Sequence, residues 1–146
     1  MSLSNTNVNT LLLDIHQDIE EYADFLVTSI LDKRDFNFLT YPPNCGLTEP
    51  EIEELKKLES NEHLKNALRK VIADNSAGIV FNIFNVLDGT ADPKNQDGNW
   101  KGLKIIDEES ESEPSDEMLH DKFYETYWDW KKIRGNKNWK LDTVDV

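Results

Sequence analysis

VNTLLLDIHQDIEEYADFLVTSI, residues 8–30, sets Val8, Leu11, Leu12, Ile15, Ile19, Tyr22, Leu26 and Ile30 at steps of three and four. Such steps return to one side of an α-helix and alternate across a strand, so the stretch predicts a long amphipathic helix. Asp14, Asp18, Glu21 and Asp24 fall on the opposite side, as they do when one stripe covers a core and the other meets water. The polar residues 1–7 are expected to fray.

Downstream, residues 36–41 read as extended. Pro42-Pro43-Asn44-Cys45-Gly46 reads as a loop, because consecutive prolines remove amide donors. Thr48-Glu49-Pro50-Glu51 has the form of a capping box and predicts a short helix ending near Leu58. Ser60 is expected to cap the next helix. Its apolar positions Leu64, Leu68, Val71 and Ile72 continue across Asn75-Ser76-Ala77-Gly78 into Ile79, Ile83, Val86 and Leu87, as one long helix or two end to end. Gly78 weakens that helix and is expected at a close helix contact or a kink. Residues 77–87 are apolar on nearly every side except at Asn82 and Asn85, the pattern of a central, largely buried helix.

Asp88-Gly89 ends that helix, and residues 90–99 are rich in turn formers. Trp100-Lys101-Gly102-Leu103-Lys104-Ile105-Ile106 has the look of a strand, paired with residues 36–41. Ser115 is expected to cap a final helix reaching about Lys132, with Gly135 just beyond. The predicted fold is mainly α: a helical bundle of three to four major helices with a minor two-stranded β element. It forms a single domain over residues 1–146, with an acidic linker at 107–114 and a tail at 136–146 docked through Trp139 and Leu141.

A chain of 146 residues can bury one core without staples. Its formal charge of −13 repels nucleic-acid phosphates and anionic lipid, so the expected partner is a basic protein, with no nucleic acid and no membrane. The single Cys45 cannot close an intramolecular disulfide, and the first residues lack the basic and apolar regions of a secretory signal. Both point to a reducing cytoplasm. The longest apolar runs, residues 11–13 and 77–81, are far below the roughly 20 residues that span a bilayer.

Reaction chemistry finds little support. His16, His63 and His120 lie on three predicted helices, and imidazoles converging in a bundle could bind zinc, nickel or iron. This metal-binding bundle, or a metal-dependent enzyme built on it, is the alternative reading. Only Glu117-Met118-Leu119-His120 supplies the Glu-x-x-His of a di-iron bundle, since Leu13 and Ser60 stand three residues before the other two. Asp88, Asp92, Asn95 and Asp97 with Gly98 offer oxygen ligands, but a calcium-loop register leaves Pro93 first and Lys104 twelfth. Cys45 has no protease context, and nucleophile-elbow, phosphate-loop and dinucleotide motifs are absent. No catalytic residue and no cofactor is assigned.

The last helix carries the strongest functional signal. Phe123, Tyr127 and Trp130 form one stripe, and Tyr124 and Trp128 form a second, displaced by about 100°. One helix seldom buries both. Eight acids and no lysine or arginine lie from Asp107 through Asp121, whereas Lys131, Lys132, Arg134, Lys137 and Lys140 occupy residues 131–140 without an acid. That basic tail could fold back and neutralise the linker. Aromatics ringed by acids otherwise suit a basic partner, the rings supplying desolvated area and the charge steering encounter. The expected function is therefore a small acidic protein-binding module, of the immunity or inhibitor type that masks a basic partner. Its expected contacts are Tyr124, Trp128, Asp129, Glu125, Asp107, Glu108, Glu109 and Glu111.

Overall fold

Ser4 Oγ accepts from the Asn7 N–H at 3.3 Å, the bond by which an N-cap serine satisfies an orphan amide of a first turn. Leu3 and Val8 hold the two positions of a hydrophobic staple, and both are buried. The first helix, α1 (Asn5–Thr28), accordingly begins three residues before the periodic stretch and takes in residues expected to fray. The computed structural model describes residues 3–43, 45–95, 98–108, 117–138 and 141. After α1 come a π-helical turn (Ser29–Lys33), α2 (Glu49–Lys56), α3 (Glu62–Leu87) and α4 (Leu119–Ile133).

The protein is mainly helical, and among the described residues no strand forms. The minor β element is not seen. Gly102 has φ +85°, which breaks the extended run from Trp100, and Ile106 makes only an isolated bridge. Residues 36–41 are irregular and run into the two prolines, which offer no ladder donor.

Contacts group the chain into two compact units, the described residues of 1–18 with 75–137, and those of 19–74 with 138–146. In the first unit Leu3, Val8, Leu12, Phe84, Leu119 and Phe123 are the buried apolar side chains. The Ser4 N–H donates to Asp107 Oδ2 at 2.9 Å, tying the chain after residue 98 to the start of α1. α3 ends in a Schellman motif: the Thr90 N–H donates to the Asn85 carbonyl, the Gly89 N–H donates to the Val86 carbonyl, and Gly89 sits at φ +74°. The Asp88-Gly89 stop is therefore where the sequence placed it.

In the second unit Ala23, Val27, Leu31 and Phe36 are buried. Along α1 and the turn that follows, Val8, Leu12, His16, Glu20, Ala23, Val27 and Leu31 are buried in an unbroken stripe at steps of four, four, four, three, four and four, with Ser29 buried beside it. Two of its members are polar. That is why an apolar-only count drew the stripe one position off, through Leu11 and Tyr22, which are exposed. Arg69 Nε donates to Asp24 Oδ1 at 2.7 Å and Lys65 Nζ lies 3.0 Å from Asp32. Arg34, in a left-handed conformation, donates from Nη2 to the Leu58 carbonyl at 2.7 Å.

α2 opens with the expected capping box, Glu51 accepting from the Thr48 N–H at 2.7 Å, yet none of its residues is buried. α3 is capped by Asn61, whose Oδ1 accepts from the Leu64 N–H at 2.9 Å. Ser60 instead donates to Asp32. The helix runs uninterrupted through Gly78, and among the described residues a Cβ there would meet nothing within 4 Å, so the glycine marks no close contact with them. Of residues 77–87 only Phe84 is fully buried, and Ile79 and Ile83 are exposed. The expected central, enclosed helix is thus covered on one side only. Ser115 and Trp139 lie outside the described residues, and Leu141 is half-buried.

Candidate protein-binding face

α4 begins without a capping side chain of its own, since Met118 holds the N-cap position. The cap comes from the end of α3. Asp88 Oδ2 accepts from the His120 N–H at 2.9 Å and from His120 Nδ1 at 2.7 Å. The Asp88 side chain is 1% exposed, so the start of α4 is capped by a carboxyl shielded from water. Phe81 lies edge-on to the His120 ring, at 5.7 Å between centroids.

From this anchor the faces of α4 follow by helical period. Leu119, Phe123 and Thr126 are fully buried, Tyr127 and Trp130 half-buried. Phe123 stacks on His16, with centroids 4.8 Å apart and planes 5° from parallel, and meets Phe84 edge-on at 5.7 Å. His16 Nε2 lies 2.8 Å from the Phe123 carbonyl oxygen, which can only accept, so Nε2 carries the proton. Burial lowers the pKa of this imidazole and keeps it neutral in spite of that bond.

The opposite face of α4 carries Asp121, Tyr124, Glu125, Trp128 and Asp129, all exposed. Tyr124 and Trp128 retain 54% and 42% of their accessible surface. Each ring has one side supported: Tyr124 tilts against Phe81 with centroids 5.3 Å apart, and Trp128 meets Tyr127 edge-on at 5.2 Å. Such contacts restrict the rotamers that the two rings can adopt.

Lysines temper the charge on this face. Lys132 Nζ lies 2.9 Å from Asp129, Lys122 Nζ 3.0 Å from Glu117 and 3.6 Å from Glu125, and Lys131 Nζ 5.7 Å from the Trp128 ring centroid. Hydrogen bonding to Glu117 raises the pKa of Lys122. Exposed pairs of this kind contribute little and exchange readily. Of the acidic run, Asp107 is turned inward: bonds from Asn7 and the Ser4 N–H hold its carboxyl below the usual carboxylate range. Glu108 is exposed, and Glu109 and Glu111 lie outside the described residues. Arg134 is buried.

α1 and α4 border an open groove of about 640 Å³, lined by Leu11, Asp14 and Gln17 of α1 and by Trp130 and Ile133 of α4, among others. Trp130 Nε1 is buried without a hydrogen-bond partner among the described residues.

The three histidines have separate surroundings. His16 is enclosed by α4, His120 is held by Asp88, and His63 is exposed near the start of α3 in the other unit. Among the described residues no three His, Cys, Asp or Glu side chains gather to hold a metal ion. Nor is any described helix long and apolar enough to cross a membrane. The sequence missed the Asp88–His120 pair because their separation of 32 residues leaves no local spacing to read. Searches against protein-family models, curated proteins and solved structures found no match.

Proposed function

We propose that the chain is a small acidic protein-binding module that uses the outer face of α4 to cover a basic surface on a partner protein, in the manner of an immunity or inhibitor protein. The supporting observation is the pair Tyr124 and Trp128, each about half exposed between Asp121, Glu125 and Asp129. Their rings supply apolar area, and a chain of charge −13 accelerates encounter with a cation-rich surface. The Lys132–Asp129 and Lys122–Glu125 pairs leave carboxylates that a partner's arginines can take over, because Arg binds carboxylate through two parallel hydrogen bonds.

The test begins with capture from the native cell on the wild-type chain and on Trp128→Ala/Asp129→Ala, followed by binding measurements with the purified captured protein. The expected partner is basic. Its association rate falls steeply as salt rises, and the double variant weakens binding by at least about tenfold. Helical circular dichroism of the variant should match the wild type, since both residues are exposed. Recovery of nucleic acid or a small molecule alone, or equal binding by the variant, overturns the reading.

A further inference from the structure

We infer that the first turn of α4 holds a site for one zinc-class divalent ion, bound by His120 Nε2 and an Asp121 carboxylate oxygen, with water in the remaining positions. His120 Nε2 lies 3.5 Å from Asp121 Oδ1. That is beyond the roughly 2.7–3.2 Å of an N–H···O hydrogen bond. It matches two donors on one ion, because zinc bonds of about 2.1 Å at a tetrahedral angle hold their ligand atoms about 3.4 Å apart.

The ring is already set for that bond. His120 Nδ1 donates to Asp88 Oδ2 at 2.7 Å, so in the neutral ring the lone pair lies at Nε2, the nitrogen beside Asp121. Asp88 is 1% exposed and accepts from the His120 N–H as well, and Phe81 meets the ring edge-on at 5.7 Å. A carboxyl behind a metal-ligating histidine fixes its tautomer and orientation and makes the far nitrogen a better donor. Asp88 Oδ1 is buried without a hydrogen-bond partner, so among the described residues this carboxyl serves only the start of α4 and the imidazole. The Asp121 side chain is 73% exposed and has no lysine or arginine partner among the described residues. Its neighbour Lys122 pairs instead with Glu117 and Glu125.

An imidazole nitrogen beside one carboxylate suits zinc, copper(II) or nickel, whereas calcium and magnesium take oxygen ligands. The chain's charge of −13 draws cations towards the site. Two protein ligands bind less tightly than the four of a structural zinc centre, so the expected dissociation constant for zinc is on the order of 10–100 µM. His16 and His63 take no part.

Calorimetric titration of the full chain with zinc chloride tests this, with the histidine ring nitrogens followed by NMR. One zinc per chain is expected to shift Nε2 of His120, leaving its Nδ1 proton in place and the rings of His16 and His63 unmoved. Asp121→Asn, at an exposed side chain, should weaken binding by about tenfold, and His120→Gln by more. Asp88→Asn alters no ligand atom. It should still weaken binding by about 10- to 100-fold through the ring's orientation, with helical circular dichroism retained. Calcium at about 5 mM should leave the zinc isotherm nearly unchanged. Displacement by calcium assigns the ion to carboxylates alone and overturns the inference. So does the absence of zinc uptake up to about 1 mM, or uptake undiminished in Asp121→Asn or His120→Gln. Zinc binding by the isolated chain needs no partner, so the outer face of α4 stands or falls by its own capture test.

Discussion

His16 is a buried titratable group on a stripe that is otherwise largely apolar, and its surroundings set a pH dependence. Desolvation holds its folded pKa below the ordinary 6.5, so the unfolded chain binds that proton more tightly. Its contribution to stability is complete above the unfolded value and declines as pH falls through the folded one. Urea midpoints for wild type and His16→Gln should therefore differ by a constant above neutrality, with the wild type losing ground towards about pH 5. Asp88 is the second residue with a large expected effect. Asp88→Ala removes the cap of α4 and the partner of His120 together, and should cost on the order of 1–3 kcal/mol in chemical denaturation. Asp88→Asn should recover part of that, since an amide oxygen still accepts from the His120 N–H. Neither role was legible in the sequence. A histidine among leucines is consistent with solvent, metal or core, and only the facing Phe123 carbonyl decides between them. The exposure of Tyr124 and Trp128, by contrast, follows from the period of α4 once Phe123 is fixed inside.

Elements were read well where local chemistry was complete. The capping box at Thr48 and Glu51 and the glycine stop at Gly89 both appear in place, because each motif satisfies its own backbone groups within a few residues. Burial was read less well, because it depends on what a helix meets rather than on what it contains. α3 is the clearest instance, its apolar second half being covered on one side only. At this scale Gly78→Ala should raise stability by about 1 kcal/mol in dilute solution, measured by thermal or urea unfolding. α2 has no buried residue, so Glu51→Ala should leave the global midpoint nearly unchanged while speeding amide hydrogen exchange at the first turn of α2. The strand expected at 100–106 failed for a reason visible in hindsight. Gly102 sits in its middle, and glycine there permits the left-handed conformation that ends a ladder.

The whole molecule carries a charge of −13, and self-repulsion of that size opposes compactness. Raising NaCl from about 20 mM to about 300 mM shortens the screening length from roughly 20 Å to about 6 Å, and should move the thermal midpoint upward. Net charge and helical character were legible from composition and period. The grouping into two units was not, since it arises from contacts between segments far apart in sequence. The placement of Trp128 has an optical consequence. With 42% of its surface open, its indole emission should be quenched by dissolved ions, and subtracting the spectrum of Trp128→Phe isolates that emission from the other three tryptophans. Iodide is an anion and caesium a cation, so the ratio of their quenching constants is a voltmeter for the solvent touching the ring. Caesium prevails where Asp121, Glu125 and Asp129 dominate, and parity means that Lys131, 5.7 Å from the ring centroid, has cancelled them.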